Sequence, residues 1–435
     1  MGIMRTFLAT WLCLLSATAS AVCIKGPDFV KTTNDSYGVG IGLGNINVTS
    51  SDIQPPGTVL ASTVFNFSDN PRYKGPDSIL YVCDITDVNN IYEVIATNGD
   101  DRNGGYWDMG GIYDGNPNVY GTWFRYVGLR LTHVNSGTVF TRNYQRIPMT
   151  RYAVSADGKK INIRVKDFSP IRADAIRISN IPPSGARSDY CGTAISSGSY
   201  TCNQPNGYVS FCSPGSGNVA YCDSGDSALD YTGWWYDNWM ALNMGTAPAS
   251  TLTTTATCVA KNVTPVVVFP TISRKELENG QQARSAFTVS VRCENAAVSG
   301  VASSQTALGL QVPYASYQSA QTLGLVNSSG GVSHLLSENY GQSDIASGVG
   351  IQIANASDGV LRQFLGWDRC STVGGCATGN SGGWYPVRAG ATLVSSSGGV
   401  SEYLINFNAF LTRLPGMQVT PGRVDARAYV WVKVQ

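Results

Sequence analysis

The chain has 435 residues, of which only 14% are charged, and its formal net charge is +1. Because it contains no basic run or arginine-rich stripe, we expect no nucleic acid as a partner. Its 48 glycines, together with abundant Ser and Thr, are typical of an all-β chain in which tight turns join many short strands. The length suggests two or three domains.

The N-terminus has the pattern of a secretory signal peptide. Arg5 provides a positive start, residues 6–17 are largely apolar, and residues 19–21 read Ala-Ser-Ala, the small-x-small pattern that signal peptidase cleaves. The sequence therefore predicts a signal peptide over residues 1–21 and a mature chain from Val22. The apolar stretch is shorter than the roughly 20 residues of a spanning helix, so we expect export without a membrane anchor.

The cysteines also indicate an oxidising compartment. The chain has 11 Cys, and Cys13 lies in the signal peptide, so an even set remains for pairing. These residues are Cys23, Cys83, Cys191, Cys202, Cys212, Cys222, Cys258, Cys293, Cys370 and Cys376. No Cys-x-x-Cys pair occurs, and His133 and His334 are isolated in the sequence. We therefore expect no metal site and no cofactor.

The next feature in chain order is a series of short alternating segments. The predicted strands are residues 77–86, 160–165, 175–179, 264–269, 287–293, 349–354, 403–411 and 424–434. In one of them, Phe287, Val289 and Val291 alternate with polar residues, which places one set on a core face.

A composition change near residue 250 divides the chain. Residues 245–257 are small and polar and include a proline, which is typical of a linker. The sequence therefore predicts an N-terminal domain over residues 22–244, this linker, and a C-terminal domain over residues 258–435.

The last segment alternates over its whole length. Its even-numbered positions are apolar or small, and its odd-numbered positions carry charged or large polar and aromatic side chains. The even set is Val424, Ala426, Ala428, Val430, Val432 and Val434. Because the N–H and C=O groups of an open strand edge invite association, this strand must have a partner.

The C-terminal region resembles the pilin subunits of bacterial chaperone–usher fimbriae. Those subunits end in an alternating strand with a glycine 14 places from the end, which is the position of Gly422. Residues 407–411 and 419–422 are similar to the family's closing strands. Cys258, Gly280 and residues 287–293 are similar to its first two strands. Val434 departs from the family, which has an aromatic residue there.

The resemblance implies an incomplete immunoglobulin-like sandwich that lacks its last strand. A periplasmic chaperone would first lend a strand, and the N-terminal extension of the next subunit would then replace it at the outer-membrane usher. It implies pairing through Gly422 and the even set, capture of the Gln435 carboxylate by the chaperone, and a Cys258–Cys293 bridge. By elimination we then expect Cys23–Cys83 and Cys370–Cys376 bridges. We expect Cys191, Cys202, Cys212 and Cys222 to crosslink a Gly/Ser-rich loop.

A whole domain precedes the pilin-like region, an arrangement similar to that of tip adhesins in this family. The resemblance implies a β-sandwich-like receptor domain at the fimbrial tip on the bacterial surface. Two clusters combine aromatic rings, which stack on sugars, with Asp and Asn, which bond hydroxyl groups. The candidate ligand-binding residues are Trp107, Asp108, Trp123, Trp235, Tyr236, Asp237, Asn238 and Trp239. A glycan or a protein is the expected receptor.

Other functions remain open at this point. Residues 98–104 are similar to a calcium loop, but Arg102 interrupts the ligand pattern, so a hairpin turn is favoured. Residues 379–383 resemble a protease nucleophile loop without a recognisable His motif, and we predict no enzyme. The alternatives are a glycan-acting hydrolase, which needs only two carboxylates, and a non-adhesive structural tip subunit. Sugar release or domain deletion would distinguish them.

Overall fold

The computed structural model describes residues 23–30, 38–185, 188–214, 239–367 and 380–435. Within these residues strands are the main regular secondary structure, and the chain forms two large hydrophobic cores. The first core is built from residues before 253, and the second is built almost entirely from residues after 257. The predicted all-β class with two domains is confirmed.

Short strands and turns build the N-terminal domain. Its strands are β1 (Ile24–Lys25), β2 (Val39–Gly40), β3 (Asn45–Asn47), β4 (Val59–Phe65), β5 (Ile79–Asp84), β6 (Tyr92–Thr97), β7 (Tyr120–Gly121), β8 (Val127–His133), β9 (Thr138–Val139), β10 (Gln145–Pro148), β11 (Ala153–Val154), β12 (Lys160–Arg164), β13 (Ile171–Arg177), β14 (Gly198–Ser199), β15 (Gly207–Cys212), β16 (Trp239–Asn243) and β17 (Thr251–Thr253). The α-helix α1 (Met109–Asp114) begins after Asp108.

These strands form layers around a core that contains Phe65, Phe124 and Tyr200. The sheet orders are β1-β5-β12-β11, β10-β6-β15-β16-β2, β4-β13-β8-β7 with β9 beside β8, and β14-β17-β3. Disulfides join Cys23 to Cys83 and Cys191 to Cys202.

The C-terminal domain is a two-sheet sandwich. Its elements are β18 (Cys258–Val263), α2 (Arg274–Glu278), β19 (Ala283–Glu294), β20 (Thr306–Gln311), α3 (Tyr314–Thr322), β21 (Val349–Asn355), β22 (Leu361–Arg362), β23 (Trp384–Pro386), β24 (Ala391–Ser397), β25 (Val400–Arg413) and β26 (Tyr429–Val434). One sheet has the order β18-β19-β25-β21-β22 with β24 beside β25, and the other has the order β23-β20-β26.

The register of this sandwich explains its first disulfide. Cys258 lies directly opposite Cys293 in the antiparallel β18–β19 pair, and the two are bonded. The alternation expected in residues 287–293 is present, because Phe287, Val289 and Val291 are buried in the second core. Strand period thus determines which side chains fill the space between the sheets.

Two strand predictions need correction. Residues 264–269 do not form a strand: the Thr264 amide donates to the Thr288 carbonyl at 3.0 Å, and Pro265, which has no N–H, follows. Residues 424–434 are a strand only over Tyr429–Val434. Alternation determines which face a residue occupies, but a strand also needs a neighbour to pair with.

The expected linker contains ordered structure. Thr251–Thr253 pairs in parallel with Asn45–Asn47, and Leu252 is buried in the first core. The Asn47 side chain also bonds the backbone of Thr255, at 2.8 Å to its carbonyl and 2.7 Å to its amide. This segment therefore holds the end of the N-terminal domain next to the start of the C-terminal domain.

Candidate functional site

A long groove runs along the C-terminal domain between residues 258–269 and residues 422–434, and we call it the C-terminal groove. It consists of three neighbouring cavities of about 640 Å³, about 570 Å³ and about 650 Å³. Val267, Phe269 and Val424 line both the first and the second cavity. Val263 and Tyr429 line both the second and the third, so the groove is continuous.

The floor of the groove is the hydrophobic core itself. The middle cavity is lined by core residues that include Leu310, Ile353 and Phe364. In a closed sandwich such side chains would be covered by another strand, since burial of apolar surface drives folding. Here Leu310, Ile353 and Phe364 line the cavity but are only 3%, 2% and 1% exposed.

One wall of the groove is the chain that leaves β18. Val266 and Val268 are 70% and 74% exposed, whereas Val267 and Phe269 are half-buried against the core. Exposed apolar side chains on this scale indicate a surface that a partner covers. The sequence predicts a strand over residues 264–269 and does not identify a groove wall there. The signal that could have identified it is the Val-Val-Val-Phe run between Pro265 and Pro270.

The other wall contains the predicted pairing residues. Val424, Ala426, Val430 and Val432 pack partly against the core. Ala428 is exposed and lines the groove. The even set therefore lines the groove wall or packs on the core, as its alternation indicates.

Gly422 and the final residues hold the two ends of this wall. A Cβ on Gly422 would lie 2.3 Å from the Ala346 amide nitrogen, so this close approach requires glycine. Val434 is buried, and the Gln435 amide donates to the Gln305 carbonyl at 2.9 Å. Burial lowers the pKa of the Lys433 ammonium to about 8.

Each groove wall combines an edge strand with irregular chain: β18 continues into residues 264–269, and residues 422–428 lead into β26. Within the described sheets, β18 pairs with β19, and β26 pairs with β20 from Val434 opposite Thr306 to Tyr429 opposite Gln311. Each strand ends its sheet on the groove side. The groove therefore offers main-chain groups on its walls and apolar pockets on its floor, which suits an added strand.

The first aromatic cluster of the N-terminal domain lies beside α1. Trp107 packs against a small core that contains Met109 and Ile178, and its ring meets Tyr106 edge to face at 4.8 Å. Helix α1 also exposes Tyr113, by 51%, which the sequence prediction did not include. This cluster therefore combines a packed ring with an exposed ring.

Asp108 and Trp123 have partners within the fold. The Asp108 carboxylate accepts the amides of Gly111 and Val119 at Oδ1 and of Asn118 at Oδ2, all at 2.9 Å. The Trp123 indole N–H donates to the Cys191 carbonyl at 3.1 Å. The structure does not bring Trp123 and Trp107 into one pocket among the described cavities.

Several predicted residues fall outside the described part of the chain. These are Trp235, Tyr236, Asp237, Asn238, Cys222, Cys370 and Cys376. Trp239 begins β16. Cys212 ends β15 and is disulfide-bonded.

The loop considered as a calcium site and the buried His133 both make contacts within the N-terminal domain. Arg102–Tyr106 forms a π-helical turn in which Asp101 accepts the Asn103 and Tyr190 amides, and burial raises the pKa of Asp101. His133 pairs with Glu93 at 3.2 Å inside the N-terminal domain. Among the described residues, no group of three or more His, Cys, Asp and Glu side chains is placed to hold a metal.

The fold and the groove define the C-terminal domain as an immunoglobulin-like sandwich with one strand position open. Residues 247–435 match the model of the family described as Fimbrial protein, so this part of the chain is a fimbrial domain. The resemblance predicted from the sequence is thereby confirmed for the C-terminal region. No curated protein matches the chain.

Solved structures similar to the chain include a pilus rod subunit and a tip adhesin. The P pilus rod subunit PapA is 16% identical, with 41% of this chain and 92% of that chain covered, at a TM-score of 0.22. The CupB6 tip adhesin from Pseudomonas aeruginosa is 12% identical, with 95% and 94% covered, at a TM-score of 0.21. Among the described residues, no helix is both long and apolar enough to cross a membrane.

Proposed function

We propose that this fimbrial chain is a tip adhesin that is assembled by a periplasmic chaperone and an outer-membrane usher. The C-terminal groove carries the proposal, because it joins apolar pockets over the second core to the edges of β18 and β26. A strand lent by the chaperone would cover the core, and the N-terminal extension of the next subunit would then take its place. Main-chain hydrogen bonds give such a strand affinity, and alternate side chains fill the pockets.

The N-terminal domain is the proposed receptor-binding part. It has its own large core and lies before the fimbrial domain, and its residues Thr58–Leu60 line only the third cavity of the groove. A fimbrial subunit with an additional domain suits the tip, where that domain is free to meet a surface. The proposed receptor is a glycan, with Tyr113, Trp107 and residues 234–239 as candidate contacts. A protein receptor is the alternative.

Production of the chain with and without its chaperone tests the assembly half of this proposal. With the chaperone, we expect a soluble one-to-one complex. Without it, we expect aggregation or proteolysis, because the exposed Val266 and Val268 and the apolar pockets of the groove remain uncovered. A stable, soluble monomer in the absence of any partner would contradict the proposed strand addition.

The chaperone complex of the full chain tests the receptor half on a glycan array. Saturable binding to a related set of glycans without sugar release is expected. Tyr113→Ala should weaken this binding if the exposed ring of α1 stacks on sugar. Tyr190→Ala is the matched control, because Tyr190 is also an exposed ring, at 60%. Sugar release would instead support a hydrolase, and a silent array with binding to cells would support a protein receptor.

A further inference from the structure

The turn before β8 holds a tyrosine in an unusual backbone conformation. The Val127 amide donates to the Phe124 carbonyl at 3.3 Å, so Arg125 and Tyr126 occupy the two central positions of the turn. Tyr126 has a φ of +62°, in the left-handed region that favours glycine, because a Cβ there crowds the following carbonyl oxygen. Such strained positions concentrate at sites where the side chain has a function.

The Tyr126 ring brings two guanidinium groups together. The Arg125 guanidinium lies over this ring at 5.7 Å from its centroid, and the Arg177 guanidinium lies over it at 4.8 Å. Arg177 ends β13 and is held beside the turn, because the Ile178 amide donates to the Tyr126 carbonyl at 3.1 Å. All three side chains are half-buried. They form a basic surface site, which we call the Arg125–Arg177 site.

The two charges of this site have no close counter-charge. In the described part of the chain, neither arginine is within salt-bridge distance of a carboxylate. Arg177 donates from Nη1 to the carbonyls of Tyr126 and Ile178, and both contacts are long, at 3.4 Å. Burial lowers the pKa of the Arg177 guanidinium, which the more distant charge of Asp114 opposes. A bound anion would stabilise two such charges.

The surroundings of the Arg125–Arg177 site suit a sugar. Helix α1 adjoins the site, because its Asp114 carboxylate accepts the Ser179 amide at 3.1 Å, two residues after Arg177. The preceding residue of α1 is Tyr113, whose ring is 51% exposed, and Ile181 is 38% exposed. An apolar ring surface beside paired guanidinium groups offers contacts to both the sugar ring and an acidic substituent, since guanidinium N–H groups match carboxylate and sulfate oxygens.

We propose that the Arg125–Arg177 site binds the acidic group of a glycan receptor, which is a carboxylate or a sulfate ester. This inference rests on the proposed function, because it names the class of glycan that the receptor-binding domain takes. The two guanidinium groups bind the anion, the ring of Tyr126 holds them beside each other, and the ring of Tyr113 contacts the sugar. The N-terminal domain therefore distinguishes acidic glycans from their neutral forms.

A glycan array with matched probes, read with the chaperone complex of the full chain, tests the inference. Each neutral glycan is accompanied by the same glycan with a terminal sialic acid, which adds a carboxylate, and by the same glycan with a sulfate ester. We expect the acidic versions to bind about tenfold more tightly than the neutral one, and the stronger of the two identifies the anion. Equal binding of acidic and neutral versions would overturn the inference and leave the proposed adhesin standing. A silent array would overturn both the inference and the proposed glycan receptor.

Single substitutions give a second measurement. Arg125→Gln and Arg177→Gln are each expected to weaken binding of the preferred acidic glycan about tenfold and to leave binding of its neutral version unchanged. Arg177→Lys keeps the charge but not the planar fork, so we expect a smaller loss. Arg146→Gln is the matched control, because Arg146 is exposed on β10, and it should change neither affinity.

The melting temperature of each complex shows whether the variant is folded. Because Arg125 and Arg177 belong to different elements, one of the two substitutions still tests the site if the other prevents folding. Unchanged affinity of the folded variants for the acidic glycan would overturn the inference. An equal loss for the acidic and the neutral glycan would overturn it as well, since the effect would then not concern the anion.

Discussion

Asp108 illustrates how the fold can use a residue that the sequence marks as a candidate sugar ligand. Its carboxylate accepts three backbone N–H groups, from Gly111, Asn118 and Val119. A carboxylate that caps α1 and also holds the following turn has few acceptor positions left for a hydroxyl group. Its role in this structure is to fix α1, and with it the exposed ring of Tyr113.

We therefore expect Asp108→Ala to lower the free energy of unfolding of the N-terminal domain by about 2–4 kcal/mol, because three amides lose a charged acceptor. Asp114→Ala is the control, since Asp114 accepts one exposed amide, that of Ser179 at 3.1 Å. It should cost less than about 1 kcal/mol. Urea unfolding followed by circular dichroism measures both. Equal, small losses would show that the Asp108 contacts contribute little.

His334 gives the C-terminal domain a predicted response to acid. Its imidazole is buried beside Ser333, with Nδ1 and Oγ 2.9 Å apart, and burial lowers its pKa below 6.5. The unfolded chain therefore binds this proton more tightly than the folded chain does. The stability from neutral His334 is complete above pH 6.5 and is lost as the pH falls through the folded pKa.

We expect the melting temperature of the unmodified chain to fall more between pH 7.5 and pH 5 than that of His334→Gln, which has no group to protonate there. Differential scanning calorimetry of the two full-length proteins measures this difference. The carboxylates are the same in both proteins, so the comparison isolates the contribution of His334 to the pH dependence of the melting temperature. Parallel pH profiles would contradict the prediction.

At the scale of the element, β26 has two faces with different roles. Val430, opposite Leu310, packs against the second core, while the neighbouring Tyr429 is 41% exposed. The same strand also forms a wall of the groove. Its alternation therefore serves the core of its own domain and the surface that a partner strand would meet.

This arrangement predicts that Val430→Asp lowers the free energy of unfolding and the soluble yield much more than Tyr429→Asp does. A carboxylate at position 430 would face the core without a hydrogen-bond partner, which costs about 2 kcal/mol or more. A carboxylate at position 429 would face solvent beside Arg172, whose guanidinium lies 6.0 Å from the Tyr429 ring. Soluble yield with the chaperone and urea unfolding of the complex measure the difference. Similar behaviour of the two variants would contradict the assigned faces.

At the scale of the whole molecule, the two domains share an interface. Val64 of β4 is buried in the second core cluster, and the Thr49 hydroxyl donates to both carboxylate oxygens of Glu294 at 3.0 Å. Arg172 lies over Trp367 at 5.9 Å. The N-terminal domain is thus packed on the fimbrial domain and not joined to it by the connecting segment alone.

We expect Val64→Asp to loosen this interface, because a charge would enter a position that is 4% exposed. Small-angle X-ray scattering of the chaperone complex should show a larger radius of gyration. Protease cleavage within residues 251–257 should become faster. Val154→Asp, at an exposed position, is the control and should leave both unchanged. An unaltered scattering profile for Val64→Asp would show that the interface does not depend on this contact.

The groove wall and the candidate ligand site leave different signals in the sequence. Alternation from Val424 to Val434 and the position of Gly422 identify one wall, because strand period and close backbone approach leave local signals. The sequence predicts a strand over residues 264–269, which form the opposite wall. An apolar run does not reveal whether the segment has a neighbouring strand to pair with, and here it does not form a strand. The role of Asp108 was missed because two of the three amides that donate to it, those of Asn118 and Val119, come from a turn about ten residues away.

The sequence by itself determined the all-β class, the pilin-like C-terminus and the faces of its strands, because these depend on local alternation, glycine positions and cysteine spacing. Only the tertiary structure decided that residues 251–253 pair with β3, that β18 and β26 are edge strands on one groove, and that Thr58–Leu60 lies at its end. These features join residues distant in sequence. Their positions depend on which strands become neighbours, and the local pattern of a chain does not specify that.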